Sequence, residues 1–392
     1  MTDPASLVSL DMIKKLVAID TTSRNSNLDL IHFVQAYLAD FGIDCLLVED
    51  PDQPKANLYA TIGPDDRPGV MLSGHTDVVP ADPADWTRCQ PFAPTVTEGR
   101  LYGRGTSDMK SFIGIALAHV PLMLERGMET PVHLALSYDE EVGCLGVRSL
   151  VEQLALAPIR PAFCVVGEPT SMGVMIAHKG KRSYTATVTG HEAHSSLAPH
   201  GVNAVEYAAE LITFIRRRGR RAAQEGPFDA DYDVPHTTFH VGTVKGGTAL
   251  NIVPRSCAFQ FEFRHLPQDD PADLFAEVEA HARDVLEPEM HAVQPDTGIT
   301  FDEVPDLPAL NTAPDDDVVA FVKALAGQNS HGKVAFATEA GLFQRRAGIP
   351  TVVCGPGSIE QAHKPDEFIS LDQIAKGEAF MRRLIDRVAQ PL

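Results

Sequence analysis

The stretch Val70-Met-Leu-Ser-Gly-His75-Thr-Asp77 runs from a short apolar segment directly into polar side chains. The same pattern recurs at residues 132–141 and 163–168, where apolar runs lead into acidic residues. Short, continuously apolar runs are typical of strands that are buried on both faces of a sheet. Helix-like segments, such as residues 28–41 and 111–125, alternate with these runs. The alternation predicts a doubly wound, mainly parallel α/β sheet.

The pattern changes near residue 180. Six elements follow in the order β-α-β-β-α-β, at residues 181–189, 202–217, 236–244, 251–264, 271–285 and 298–304. This order is typical of a ferredoxin-like α+β unit. Because the α/β pattern returns towards the C-terminus, the sequence predicts a discontinuous domain, residues 1–179 and 306–392, with residues 180–305 inserted into it.

The overall composition excludes several classes of protein. Of the 392 residues, 44% are apolar and 22% charged, as in an ordinary globular protein. No apolar run reaches the roughly 18 residues that a membrane span needs, and no secretory signal is recognisable at the N-terminus. The net charge of −20 argues against a nucleic-acid surface. Six dispersed cysteines, with no Cys-x-x-Cys pair, are expected to be buried thiols in a reducing cytoplasm.

Five polar side chains are placed where they can converge. Four follow predicted strands, and the fifth lies in the glycine-rich loop at residues 103–108; they are His75, Glu141, Glu168, His363 and Asp108. The carboxyl ends of parallel strands face one crevice, so these groups are expected to lie together. Imidazoles combined with carboxylates suit zinc, with cobalt or manganese as alternatives. Two ions with three ligands each need five residues if one ligand is shared, and five are available here. The sequence therefore predicts two divalent metal ions, with Zn²⁺ as the first choice.

Two further carboxylates are candidates for other roles. Asp77 lies two residues beyond His75, where it is expected to orient the imidazole. Glu140 precedes Glu141, and adjacent side chains on an extended segment point in opposite directions, so Glu140 is a candidate general base. Each signal alone is also typical of a solvated turn or a structural histidine, and only their joint occurrence at strand ends favours a metal site.

The motifs resemble those of the aminoacylase, acetylornithine deacetylase and succinyl-diaminopimelate desuccinylase family. The resemblance extends from about residue 10 to the end of the chain and follows the order of the motifs in that family. It is carried by Ser73-Gly-His75-Thr-Asp77, Gly103-Arg-Gly-Thr-Ser-Asp108, Asp139-Glu140-Glu141, Val166-Gly-Glu168-Pro169, Gly190-His-Glu-Ala-His194 and Ala362-His363-Lys-Pro-Asp-Glu367.

The resemblance implies a role for each matched residue. Asp108 would bridge two metal ions, one also held by His75 and Glu168, the other by Glu141 and His363. Glu140 would be the base, and Asp77 would orient His75. His194 would reach the active site of a partner subunit. Asn251 and Arg264 would line the substrate pocket. The inserted domain would be a lid that also forms a homodimer.

The C-terminal stretch containing Ala337-Thr-Glu339-Ala-Gly resembles the acetylornithine deacetylase branch of the family. We therefore expect an acyl-amino acid as substrate, specifically N2-acetyl-L-ornithine, with Glu339 facing its distal ammonium. An exposed loop glutamate is the alternative at that position. The alternatives for the whole chain are a desuccinylase, a broad aminoacylase or exopeptidase, and a metal-binding protein without turnover.

Overall fold

A computed structural model describes residues 2–391 of the chain. The chain divides into two compact units. Unit 1 comprises the chain up to residue 177, residues 310–333 and the chain from residue 338 onward; unit 2 comprises residues 178–309 and 334–337. The sequence-based boundaries lay at 179/180 and 305/306, and the structural division falls at 177/178 and 309/310.

The chain up to residue 178 alternates helices and strands. Its elements are α1 (Leu10–Val17), α2 (Leu28–Ala39), β1 (Cys45–Glu49), β2 (Ala56–Ile62), β3 (Val70–His75), β4 (Thr95–Thr97), β5 (Arg100–Tyr102), α3 (Lys110–Ala118), α4 (Val120–Arg126), β6 (Val132–Ser137), α5 (Val147–Leu156), β7 (Phe163–Pro169) and β8 (Met175–His178). Every residue of β3 and β6 is buried, which explains why these strands are mainly apolar and do not alternate between polar and apolar residues.

Unit 2 follows with a separate set of elements. They are β9 (Gly180–Thr189), α6 (Ala204–Glu225), β10 (Thr238–Gly246), β11 (Ser256–His265), α7 (Pro271–His281), α8 (Glu287–Val293) and β12 (Gly298–Leu307). The strands form an antiparallel sheet in the order β10-β11-β9-β12. Asn203 caps α6 and Asp270 caps α7, each by accepting a backbone N–H of the first turn. The predicted β-α-β-β-α-β order of a ferredoxin-like unit is therefore confirmed.

The C-terminal part of the chain returns to the α/β pattern. It forms β13 (Leu310–Asn311), α9 (Asp317–Ala326), β14 (Gly332–Val334), α10 (Ala340–Ala347), β15 (Thr351–Gly355), β16 (Phe368–Ser370) and α11 (Leu371–Val388). None of the helices within residues 2–391 is long and apolar enough to cross a membrane.

The large sheet has nine strands, in the order β1-β2-β6-β3-β7-β15-β8-β13 with β14 beside β8. The central neighbours β6, β3, β7 and β15 are parallel, whereas β1, β2 and β6 pair antiparallel, as do β15 and β8. The predicted mainly parallel sheet is confirmed, with antiparallel strands towards its margins. Because the four central strands end on the same edge, the residues that follow them lie side by side.

Helix α3 packs directly on this sheet. The approach is so close that a Cβ at Gly167 of β7 would lie 2.1 Å from ring carbons of Phe112 on α3. Glycine at residue 167 therefore permits the contact. Since the loop at residues 103–108 leads into α3, the same packing holds that loop at the carboxyl edge of the sheet.

We expect His133 on β6 to make folding stability pH-dependent. Burial lowers the pKa of this histidine to about 4, its ring stacks on Tyr59 at 5.4 Å, and its Nδ1 lies 3.0 Å from Thr61 Oγ1. The unfolded chain takes up this proton near pH 6.5 and the folded chain does not. Stability should therefore fall as pH falls from 6.5 towards 4, by about 2 kcal/mol between pH 6.5 and 5 from this residue alone.

The measurement is urea unfolding of the wild type and His133→Gln at several pH values. The variant should be less stable near neutral pH but should lose less stability on acidification. His32→Gln, on the exposed side of α2, is the matched control for removal of a histidine. If the unfolding free energy of His133→Gln falls with pH as steeply as that of the wild type, His133 is not the source of the pH dependence.

Candidate metal centre

The structure brings all five predicted metal ligands of unit 1 into one cluster. Each is supplied by an element that ends at, or leads into, the carboxyl edge of the central strands. The ligands come from the end of β3 (His75), the loop before α3 (Asp108), the turn after β6 (Glu141), β7 (Glu168) and the segment between β15 and β16 (His363).

Asp108 lies at the centre of this cluster. Its Oδ1 is 3.0 Å from His75 Nε2, and its Oδ2 is 3.3 Å from His363 Nε2. His75 Nε2 is also 3.9 Å from Glu168 Oε1, and His363 Nε2 is 3.0 Å from Glu141 Oε2. The Asp108 carboxylate thus turns one oxygen towards His75 and the other towards His363. A carboxylate shared by two metal ions is placed in the same way.

The electrostatics of the cluster fit bound cations. Glu168 Oε1 is buried and has no hydrogen-bond partner among residues 2–391. Burial, together with the negative charge of Asp108, raises the pKa of Glu168 well above its usual range. Burial also raises the pKa of Glu141, although a hydrogen bond from His363 opposes this. Buried carboxylates that repel one another become favourable when divalent cations lie between them, and the residues present suit zinc, cobalt or manganese.

Glu140 lies beside the five ligands. Its carboxylate is close enough to His75 and Glu168 for the three to form a candidate metal-binding group. Burial and the nearby charges of Glu141 and Asp108 raise the pKa of Glu140 to about 8. The Cys144 thiol lies 3.3 Å from Glu140 Oε1 and donates to it. A raised pKa makes the ionised Glu140 carboxylate a stronger base than an exposed glutamate, which suits proton transfer from water.

Asp77 has more contacts than the sequence indicated. His75 Nδ1 lies 2.9 Å from the Asp77 backbone carbonyl oxygen and 3.6 Å from its carboxylate. Beside this contact with His75, the carboxylate accepts hydrogen bonds from the backbone N–H groups of Glu140, at 3.1 Å, and Glu141, at 3.3 Å. The Ser23 hydroxyl also donates to it, at 2.8 Å. Asp77 therefore contacts the backbone of the candidate base and of a candidate ligand, which residue spacing alone does not reveal.

A buried ion pair supports the turn that follows β6. Lys55 Nζ lies 2.6 and 2.8 Å from the two carboxylate oxygens of Asp139, and it donates to the Ser23 carbonyl oxygen at 2.6 Å. Asp139 has φ +54°, a left-handed conformation that needs such support. The pair fixes the point from which Glu140 and Glu141 project. The sequence motif contained Asp139 but did not indicate this role, and Lys55 was not predicted to belong to the site.

Glu339 makes its contacts inside the protein. It is fully buried, and its two carboxylate oxygens accept hydrogen bonds from Ser73 Oγ, at 2.5 Å, and Ser137 Oγ, at 2.7 Å. Both carboxylate oxygens are thus bonded to serine hydroxyls of the protein, and the contact with a substrate ammonium stays a prediction. The exposed-loop alternative is contradicted by the burial of this residue. Glu339 instead joins the start of α10 to β3 and β6.

The other predicted site residues belong to unit 2. His194 is exposed, and its Nδ1 accepts the backbone N–H of Ser196 at 3.2 Å. The segments of His194 and Asn251 lie side by side, since the Ser195 N–H donates to the Asn251 carbonyl oxygen at 3.1 Å. Arg264 is half-buried on β11, and its Nε lies 3.1 Å from Glu262 Oε1. Unit 2 thus brings His194 and Asn251 together.

Comparison with known proteins identifies the family. The model of peptidase family M20/M25/M40 matches residues 71–387. The chain belongs to peptidase family M20/M25/M40. The matched region contains all five candidate ligands and Glu140, so the resemblance inferred from the motifs is confirmed.

Individual relatives agree with this assignment. The chain is 34% identical over 380 residues to an acetylornithine deacetylase from Yersinia pseudotuberculosis serotype O:1b (strain IP 31758), covering 95% of this chain and 94% of that protein. It is 32% identical over 383 residues to an acetylornithine deacetylase from Pasteurella multocida (strain Pm70), covering 96% and 97%. The crystal structure of aminopeptidase PepT from Bacillus cereus ATCC 10987 has the same fold, with a TM-score of 0.75 at 20% identity, covering 97% of this chain and 98% of that one.

The family and the cluster together establish the class of reaction. The matched family is named for peptidases and the curated relatives are deacetylases, both of which hydrolyse amide bonds, and this chain places five candidate metal ligands around Asp108. The chain is therefore a di-metal hydrolase acting on amides.

Proposed function

We propose that the chain removes the acetyl group from N2-acetyl-L-ornithine, giving L-ornithine and acetate as a step of arginine biosynthesis. The observation that carries the hydrolytic part is the position of Asp108, with one carboxylate oxygen towards His75 and the other towards His363. The acetylornithine part rests on curated relatives of that name at 29–34% identity over nearly the whole chain.

The protein residues have separate tasks in this reaction. Bound divalent ions, held by the five ligands, would supply Lewis acidity for the acyl carbonyl and lower the pKa of the attacking water. Glu140 takes a proton from that water as its oxygen bonds to the acyl carbon. Glu140 then returns the proton to the amine nitrogen as the C–N bond breaks, so the products are a carboxylic acid and a free amine. Asp77 keeps Glu140 in place through the Glu140 backbone N–H.

His194 is proposed to stabilise the oxyanion from a partner subunit. Because its Nδ1 accepts the Ser196 N–H, the neutral ring carries its proton on Nε2. The ring is exposed, so an Nε2–H donor is available to another molecule. We place Asn251, in the neighbouring segment, and Arg264 in the substrate pocket, where a guanidinium suits the carboxylate of an amino acid.

The remaining parts of the proposal concern the molecule as a whole. Residues 180–305 would be the lid and homodimerisation domain, and zinc or cobalt the native metal. All six cysteines are unpaired thiols, which supports a reducing compartment such as the cytoplasm.

The test is an acylase assay on protein reconstituted with Zn²⁺ or Co²⁺. The substrates are N2-acetyl-L-ornithine, other acetyl-, formyl- and succinyl-amino acids including N-succinyl-diaminopimelate, and a set of dipeptides. We expect kcat/KM to be highest for acetylornithine and acetate release to stop on chelation. A chain that binds two metal ions but releases no acid from any substrate would contradict the proposal and favour a binding protein.

The ranking of these substrates by kcat/KM discriminates among the related activities. A preference for the succinyl compound would assign a desuccinylase, and a flat profile would assign a broad aminoacylase or exopeptidase. In the variant Glu339→Gln, metal content and kcat should respond more than KM for acetylornithine, because Glu339 contacts the serines of β3 and β6. A change confined to KM for substrates that carry a distal ammonium would support the predicted contact between Glu339 and substrate.

A further inference from the structure

Glu367 is a buried carboxylate whose contacts all converge on the loop that carries Asp108. Its side chain is 1% exposed. Its Oε1 accepts the backbone N–H groups of Ser107, at 2.8 Å, and Asp108, at 3.1 Å. Its Oε2 accepts the Gly105 N–H at 3.0 Å and pairs with Arg104 at 2.7 Å. Every direction in which this carboxylate accepts a hydrogen bond is therefore occupied by the loop at residues 104–108.

The loop depends on these bonds for its shape. Gly105 has φ +84°, and a Cβ there would lie 2.8 Å from a Val78 side-chain carbon, so the residue is held in a conformation and a space suited to glycine. The Gly103 N–H also donates to the Glu367 backbone carbonyl oxygen at 3.0 Å. Without Glu367, three loop N–H groups and the Arg104 guanidinium would lose their buried acceptor, which is costly in the interior of a protein.

Glu367 also belongs to the segment that carries another ligand. His363 lies four residues earlier, at φ +61°, and Asp366 beside Glu367 has φ +55°. The Asp366 carboxylate accepts the backbone N–H groups of Thr87, at 2.8 Å, and Arg88, at 2.9 Å, which secures this segment from its other side. The carboxylate of Glu367 therefore joins the chain segments of two ligands, Asp108 and His363, whose side chains lie 3.3 Å apart.

We propose that Glu367 is a positioning residue of the metal centre, which holds the Asp108 loop against the His363 segment and thereby sets the affinity of the Asp108–Glu141–His363 group for its metal ion. The inference rests on the proposed function only in that it concerns the same metal centre. It assigns to Glu367 no contact with metal, substrate or water. Partners that fix metal ligands in this indirect way affect metal affinity or activity by about 10–100-fold when they are changed.

The test compares Glu367→Gln with Glu378→Gln. Glutamine has the shape of glutamate, but its amide nitrogen would face loop donors in place of an acceptor oxygen. Glu378 is a matched control, since it too is a buried carboxylate, 2% exposed, that accepts from the Ser9 N–H and hydroxyl and pairs with Arg382. Those partners lie just before α1 and on α11, and none of them is a predicted ligand.

Each full-length variant is stripped with dipicolinate, checked for folding by circular dichroism, and titrated with Co²⁺ against a chelating indicator. We expect Glu367→Gln to weaken one of the two Co²⁺ binding steps by about 10–100-fold and to alter the visible absorption of the Co²⁺ complex. Glu378→Gln should keep both binding constants and the spectrum. Folded Glu367→Gln with wild-type constants for both steps would overturn the proposal.

A second pair of variants covers the case in which Glu367→Gln does not fold. Glu367→Asp keeps the charge but withdraws the carboxylate by one methylene group, and Glu378→Asp is its control. Weaker Co²⁺ binding in Glu367→Asp alone supports the proposal, and equal binding in both variants refutes it. Measuring Co²⁺ binding requires no substrate. If the wild type binds two Co²⁺ ions but cleaves no acyl-amino acid, the proposed function fails, whereas the comparison of the Glu367 and Glu378 variants remains valid.

Discussion

Replacing Glu140 with glutamine should lower kcat by about 10²–10⁴-fold, the usual contribution of a positioned general base, while leaving about two metal ions per chain. Glutamine has the size of glutamate and keeps the backbone N–H that donates to Asp77, so the turn should hold its shape. It cannot take a proton from water. The measurements are steady-state kinetics with an acyl-amino acid and metal content by elemental analysis.

The kinetic pattern separates a base from a ligand, a distinction that matters because Glu140 lies within reach of His75 and Glu168. KM should change little, since Glu140 is not assigned to substrate binding. Glu152→Gln, on the exposed side of α5, is the matched control and should behave as the wild type. Loss of one metal ion together with activity would show that Glu140 is a ligand.

Removing the metal should abolish turnover and destabilise unit 1. Activity should fall by about 10³-fold or more, since loss of Lewis acidity is worth several kcal/mol of barrier. The stability change has a separate cause. Without cations, the buried carboxylates of Asp108, Glu141 and Glu168 repel one another, and Glu168 Oε1 has no hydrogen-bond donor within the described chain. Free metal at 1,000 times its Kd should stabilise the fold by about 4 kcal/mol per site.

The experiment is calorimetry and an activity assay before and after treatment with dipicolinate, followed by readdition of Zn²⁺. We expect Tm and activity to fall on chelation and to recover together. Dipicolinate presaturated with Zn²⁺ is the control for effects of the chelator itself. Full activity in protein that retains less than about a tenth of a metal ion per chain would refute a metal-dependent reaction.

Much of the fold followed from local patterns in the sequence. The continuous apolar run of β3 and the similar run of β6 predicted buried parallel strands, because only strands covered on both faces lack alternation. The sequence did not predict the antiparallel direction of β1, β2 and β8, since strand direction depends on partners that are distant in sequence. The ferredoxin-like order of unit 2 was readable because its strands and helices have distinct periods.

The candidate metal ligands were also within reach of the sequence. Each candidate follows a strand or lies just before a helix, and the carboxyl ends of parallel strands must meet at one edge. These residues are His75, Asp108, Glu141, Glu168 and His363. The sequence by itself therefore determined the fold class and the set of candidate metal ligands.

Only the tertiary structure decided what supports those residues. It turned the carboxylate of Asp77 towards the backbone of Glu140 and Glu141, buried Glu339 between two serines, and joined Glu367 to the Asp108 loop. A hydrogen bond between residues some 260 positions apart leaves no local periodicity or spacing to detect. Its existence depends on the packed positions of whole strands and helices, and so it becomes visible only once the chain is folded.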